Sequence, residues 1–223
     1  MVMQTENKMS KFFSAVYLWM FIGLLVSAGI AYYTSVSSSM LNFVYKYFAI
    51  IIISELVVVI AFTAFMKKVS PVVAKILFLI YSGISGLTLS SIFLVYELES
   101  IGFVFLASAL MFGLMAGYGY TTKQELSSFG KLLTFGIIAI IIMSIINMFL
   151  GNGTFGIIIS IISVVIFLGL TAWDMQMLKR LYTYHEGNED EVNKIAIYGA
   201  LQLYLDFINI FLDLLRLFGK SKD

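Results

Sequence analysis

Apolar residues fall in long runs along this chain, and polar residues gather in the short gaps between them. A helix needs about 20 apolar residues to cross the ~30 Å hydrocarbon layer of a membrane. Six runs have that length: residues 14–34, 43–66, 75–96, 101–120, 131–150 and 155–173. The first follows Glu6, Lys8 and Lys11, the second stops at Lys67 and Lys68, and the third stops at Glu97 and Glu99. Gly151-Asn152-Gly153 reads as a turn between the fifth and sixth. The first run is longer than the core of a signal peptide and leads directly into further spans, so it reads as a retained helix.

A seventh run, residues 195–218, has a different pattern. On a helical wheel Gln202, Asp206, Asn209, Asp213 and Arg216 fall within a stripe about 80° wide. Leu203, Phe207, Phe211, Leu214 and Leu215 lie opposite. An interfacial amphipathic helix fits this pattern. So does an inserted helix whose polar stripe faces protein or water, and its length and few flanking cations favour insertion. No internal repeat is visible, which argues against a two-half inverted-repeat transporter. The prediction is an all-α integral membrane protein with one polytopic domain over residues 1–223.

Composition agrees and narrows the function. Of 223 residues, 61% are hydrophobic and 12% charged, against about 25% charged in an ordinary soluble domain. That excludes a soluble enzyme, a disordered protein and a nucleic-acid binder, the last also because the net charge is only +1. No cysteine is present, so no disulfide or thiolate metal site exists. Neither GxSxG nor HExxH occurs, and no enzyme is expected. Lysine and arginine gather at the N-terminus and in alternate connections (Lys8, Lys11, Lys67, Lys68, Lys123, Arg180). The positive-inside rule then places the N-terminus in the cytoplasm. Arg216, Lys220 and Lys222 resist this pattern if the last helix crosses fully, whereas a segment that enters and returns would keep them inside.

In a chain so poor in charge, carboxylates within spans are informative, because each costs roughly 2.5–3.5 kcal/mol at a helix centre. Four qualify: Glu55, Asp174, Asp206 and Asp213. Glu55 lies 12 residues from Lys67 and Asp206 lies 12 residues from Lys194, each about 18 Å deep. Asp174 lies five residues before Lys179, only about 7–8 Å in. Such groups can be packing glue. Convergent carboxylates in low dielectric instead tend to share a proton, and when ionised they attract hard cations such as Ca²⁺.

Weaker features read as structure. The stretch HEGNEDE, residues 185–191, holds the only histidine and reads as a solvated loop without EF-hand spacing. Gly83, Gly86 and the Gly113–Gly117 GxxxG match read as close helix packing. Trp19 and Trp173 read as interface anchors near helix ends.

Four stretches carry a family resemblance: GLTLSSIFLVY (86–96), GYGYTTKQELSSFG (117–130), GLTAWD (169–174) and GALQLYLDFINIFLDLLRLFG (199–219). Together they resemble the Bax inhibitor-1, or transmembrane Bax inhibitor motif, family in its bacterial branch. The resemblance implies a seven-helix bundle with the C-terminal helix central, in a bacterial cytoplasmic membrane. It implies a pH-sensitive calcium leak gated by an aspartate pair, matched here by Asp174 and Asp206, which would also meet Ca²⁺ transiently. The family's arginine near the end of the second helix is matched by Lys67-Lys68, where lysine lacks the bidentate fork of arginine. Glu55 matches a glutamate of that helix, and Asp213 and Asn209 complete the expected ion pathway. Implied partners are the bilayer, Ca²⁺ and H⁺, with no resident cofactor. Two other readings stand beside the leak: a membrane protein that modulates a protease or other complex, and a proton-coupled Ca²⁺ exchanger. Asp174 and Asp206 can meet only if the seventh helix begins outside the membrane, near Glu191 or Val192, or if the sixth breaks near Gly169. The first is expected.

Overall fold

The computed structural model describes residues 2–66 and 68–222, with side chains from Asn7 onward. Helices follow one another as α1 (Val2–Val36), α2 (Ser38–Phe65), α3 (Pro71–Leu89), α4 (Ile92–Val95), α5 (Leu98–Thr121), α6 (Ser127–Leu150), α7 (Gly153–His185) and α8 (Glu189–Phe218). Seven segments among the described residues are long and apolar enough to cross a membrane, α3 and α4 together forming one. The chain is an all-α integral membrane protein.

Local chemistry explains the helix ends. Ser70 caps α3 by accepting from the Val73 N–H (3.4 Å), with Pro71 at the first helical position. Gly151 ends α6 in the left-handed region (φ 61°), its N–H bonded to the Asn147 carbonyl, as a glycine C-cap does. The third span is interrupted at Ser90-Ser91 rather than running unbroken to residue 96. There the hydroxyls of Thr88, Ser90 and Ser91 each donate to the carbonyl three residues back (2.6–2.9 Å). They compete with the helical ladder, and the backbone bonds tighten to the i−3 pattern.

Two helices outrun their apolar stretches. The sixth span does not end at residue 173: α7 continues through Gly169 to His185. The seventh starts not at 195 but at Glu189, so helix and not loop takes up three of the four acids of HEGNEDE, Glu186 staying in the turn. Glu189, Asp190 and Glu191 occupy the first turn of α8, where the helix dipole favours negative charge. Only residues 186–188 form the turn. α8 is continuous for 30 residues, about 45 Å, so Arg216 and Lys220 lie at the opposite end of it from Glu189 and the segment does not turn back.

Contacts divide the described residues into two compact units. The first comprises residues 2–96, 181–204 and 222, the second 97–180 and 205–221. In the first, a Cβ on Gly86 would lie 2.7 Å from the Ser27 carbonyl, so α1 and α3 meet at backbone distance. Phe78 and Tyr81 of α3 stand edge-on to Tyr204 of α8, each with ring centroids 5.9 Å away. At the far end of α3 and α4, the Lys222 N–H and ammonium donate to the Val95 and Phe93 carbonyls (2.9 and 2.7 Å).

In the second unit, α5 and α6 close on α7 at one level. A Cβ on Gly119 would lie 2.1 Å from the Ala172 carbonyl, and one on Gly130 would lie 2.2 Å from the Trp173 indole. A Cβ on Gly136 would likewise lie 2.7 Å from the Ile166 side chain, whereas Gly113 and Gly117, the GxxxG match, face open space. Trp173 sits against Gly130 twelve residues before the end of α7, not at a helix terminus. Phe105 and Phe112 of α5 stack edge-on to Phe207 of α8 (5.1 and 5.7 Å). α7 also clamps the 122–126 connection: Gln176 accepts from the Leu126 N–H (2.9 Å) and donates to the Gln124 carbonyl (2.7 Å). Arg180 pairs with Glu125 at 2.6 Å. Lys220 bonds back across the start of α5, its ammonium 2.8 Å from Glu97, and that carboxylate raises the Lys220 pKa.

Candidate functional site

α7 and α8 follow one another through the turn at 186–188, and each contributes one aspartate to a buried pair. Asp174 and Asp206 are 3% and 4% exposed. The two carboxyl groups face each other, with the Thr171 hydroxyl beside Asp206. Thr171 spends its own proton on the Phe167 carbonyl (2.8 Å). One oxygen on each aspartate, Asp174 Oδ1 and Asp206 Oδ2, is buried without a hydrogen-bond partner. Buried polar atoms are nearly always paired, and the partner within reach of each carboxyl group is the other one. The depth mismatch expected from counting to Lys179 and Lys194 arises because neither lysine ends its helix: α8 begins at Glu189, two residues before Glu191, and α7 continues unbroken through Gly169.

Asp213 lies seven residues beyond Asp206 on α8, about 10 Å along the axis. It is half-buried, and the Ser163 hydroxyl of α7 donates to it. Arg216, exposed one turn on, is its nearest charge of opposite sign on α8. Asn209 lies between the two aspartates but turns its amide to the Leu205 carbonyl of its own helix (2.8 Å).

Glu55 belongs to the first unit. It is half-buried on α2, its Oε1 3.0 Å from the Thr88 hydroxyl, whose one proton is divided between this carboxylate and the Ser85 carbonyl (2.8 Å). Nearby, the fully buried Tyr204 hydroxyl shares a 2.7 Å hydrogen bond with Ser27, which in turn donates to the Ser82 carbonyl (2.7 Å). Lys68 is exposed in the turn after α2, and no ion pair involves it among the described residues. Lys67 lies outside the described residues.

The hydroxyl partners escaped the sequence reading. Thr88, Ser163 and Thr171 look like ordinary small polar residues in apolar helices. One available signal was their periodicity: Ser160 and Ser163 share a face of α7, as do Ser85 and Thr88 on α3. No cluster of three or more metal-ligating side chains occurs among the described residues. Two carboxylates fall short of the six to eight oxygens that Ca²⁺ ordinarily takes.

Comparison with known proteins places the chain. The profile of the family described as inhibitor of apoptosis-promoting Bax1 matches residues 9–223. An Escherichia coli K12 protein named inner membrane protein YbhL is 40% identical over 225 residues, covering 99% of this chain and 96% of that one. An uncharacterized protein of Borreliella burgdorferi is 40% identical, covering 96% and 94%. An uncharacterized membrane protein of Streptococcus pyogenes is 36% identical, covering 98% and 96%.

Proposed function

The chain belongs to the Bax inhibitor family of membrane proteins, and from that premise we propose that it is a passive, pH-gated cation leak with Ca²⁺ as its main ion. The observation that carries this reading is the burial of two facing carboxyl groups, Asp174 and Asp206, on α7 and α8. Sharing one proton, the pair holds α7 and α8 together. Loss of that proton leaves two like charges in a low-dielectric site. At about 4 Å and an effective dielectric of about 20, two unit charges repel by roughly 4 kcal/mol. The helices then separate at this level, and the freed oxygens receive the cation. The sign is therefore closed at low pH and open at high pH.

Asp213 serves as a further carboxylate station for the ion; the same role for Glu55, and that of latch cation for Lys67 or Lys68, rest on the family resemblance. The proposed setting is a bacterial inner membrane with the N-terminus in the cytoplasm, supported by the name of the Escherichia coli relative and by the lysine distribution.

The test is Ca²⁺ flux into proteoliposomes measured against pH. Flux is expected to rise with pH in the natural protein. In Asp174→Asn with Asp206→Asn, which cannot ionise, the pH dependence should vanish. Unchanged pH dependence in that variant overturns the gate. Uphill Ca²⁺ movement driven by an opposing pH gradient would replace the leak by an exchanger.

A further inference from the structure

A cavity of about 420 Å³ opens where the start of α1 meets the α7–α8 turn, wholly within the first unit. Its volume lies in the range of small-molecule sites, about 300–1,000 Å³. α1 and α8 each give it one helical stripe: positions 8, 11, 12 and 15 on one side, and 189, 192, 193 and 196 on the other. Both follow the i, i+3, i+4, i+7 spacing of a single helix face.

The stripes grade from charge to oil. The outer wall holds Lys8 and Lys11 on one side and Glu186 and Glu189 on the other. No ion pair joins these four groups among the described residues. Deeper, Phe12 and Tyr182 pack ring against ring at 5.0 Å and are 4% and 3% exposed. Two turns further along α1, Trp19 lies under the Lys75 ammonium (5.4 Å), as a tryptophan at the hydrocarbon edge does. The cavity thus sits on the watery side of that edge, at the depth of lipid headgroups.

Charge selects the occupant. A plain anion would meet the two glutamates, and a plain cation would meet the two lysines. A zwitterion satisfies both walls. A quaternary ammonium would need exposed aromatic faces around it, whereas here the rings form a closed floor and carboxylates form the wall. A primary ammonium has three N–H donors to give to carboxylates. We propose that this cavity binds a phosphoethanolamine headgroup, with phosphate on Lys8 and Lys11 and ammonium on Glu186 and Glu189. The source is a membrane lipid, whose glycerol and first methylenes would lie on the apolar floor.

The experiment is native mass spectrometry of the delipidated full-length protein with phosphatidylethanolamine, phosphatidylglycerol and phosphatidylcholine of identical acyl chains. Phosphatidylethanolamine is expected to bind roughly fivefold tighter than either of the others. Lys8→Gln with Lys11→Gln should abolish that preference, and Glu186→Gln with Glu189→Gln should shift it to phosphatidylglycerol. Lys8, Lys11 and Glu189 are exposed and Glu186 half-exposed, so both variants should fold, which an unchanged thermal unfolding midpoint in detergent would verify. Equal binding of the three lipids, or a preference that neither variant alters, overturns the site. Full competition by equimolar soluble glycerophosphoethanolamine would uphold the headgroup chemistry and overturn the lipid as its source.

Discussion

Helices α6 and α8 invert the rule that apolar residues lie inside. From Lys131 to Leu150, α6 contains only Thr134, Ser144 and Asn147 as polar side chains after its lysine, yet 6% of its apolar window is buried. α8 carries Lys194, Gln202, Asp206, Asn209, Asp213 and Arg216, yet 67% of its window is buried, the highest share of the seven. The solvent explains the inversion. In a bilayer the most apolar helix loses nothing by facing lipid, while polar groups must find protein or water. Burial of the last helix agrees with the central place expected for it. The consequence is practical: in this protein the least hydrophobic span is where packing and chemistry are concentrated.

The largest test of that contrast uses backbone contact. Gly119→Leu should leave no folded protein in detergent, because the side chain would enter the Ala172 backbone. Gly117→Leu, facing open space two residues away, should fold normally. Size-exclusion profiles of the two variants make the comparison, and a folded Gly119→Leu would refute the close approach. Next, Leu201→Ala in α8, fully buried, should cost about 2 kcal/mol or more from the cavity it leaves. Phe149→Ala in α6, 80% exposed, should change stability by less than about 0.5 kcal/mol. Unfolding in mixed micelles reads both. A similar cost at the two sites would erase the distinction between the helices.

Smaller effects probe polar pairs. A double-mutant cycle of Glu55→Gln and Thr88→Val should show a coupling of about 0.6 kcal/mol, the usual scale for an interhelical hydrogen bond in a membrane. No coupling would remove the Thr88–Glu55 bond from the account. The smallest effect lies outside the membrane, at the clamp on the 122–126 connection. The Ser127 hydroxyl first, and then Arg180, hold Glu125 below its ordinary value of 4.5. A depressed carboxylate stabilises above its unfolded value and loses that contribution as pH falls through the folded one. Amide exchange at Leu126 and Ser127, corrected for intrinsic rates, should therefore be slow near neutrality and quicken below about pH 4. Protection that stays constant through that range would show the clamp to be independent of Glu125.

Much of the fold was legible in the chain. Long apolar runs bounded by Lys67-Lys68, Glu97 and Gly151 report seven spans because insertion is decided by the transfer free energy of consecutive residues. Helix ends were less legible. α7 past Trp173 and α8 before Ile195 are amphipathic stretches whose helicity depends on packing, not on hydropathy. The GxxxG match misled for a related reason. Gly113 and Gly117 have the right spacing, but spacing does not say which face meets a neighbour, and Gly119 and Gly130 do.

By itself, then, the sequence determined the number of crossings, the class of protein and the short roster of carboxylates that membrane burial makes costly. Tertiary structure decided how those carboxylates are partnered. It turned Asp174 and Asp206 toward each other, tied Asp213 to Ser163 and Glu55 to Thr88, and gathered Lys8, Lys11, Glu186 and Glu189 around one cavity. The physical reason is that the cost of a charge in hydrocarbon belongs to a residue and can be summed along a chain. The partner that relieves it belongs to another helix, and which partner arrives depends on helix length, tilt and the glycines that let backbones touch.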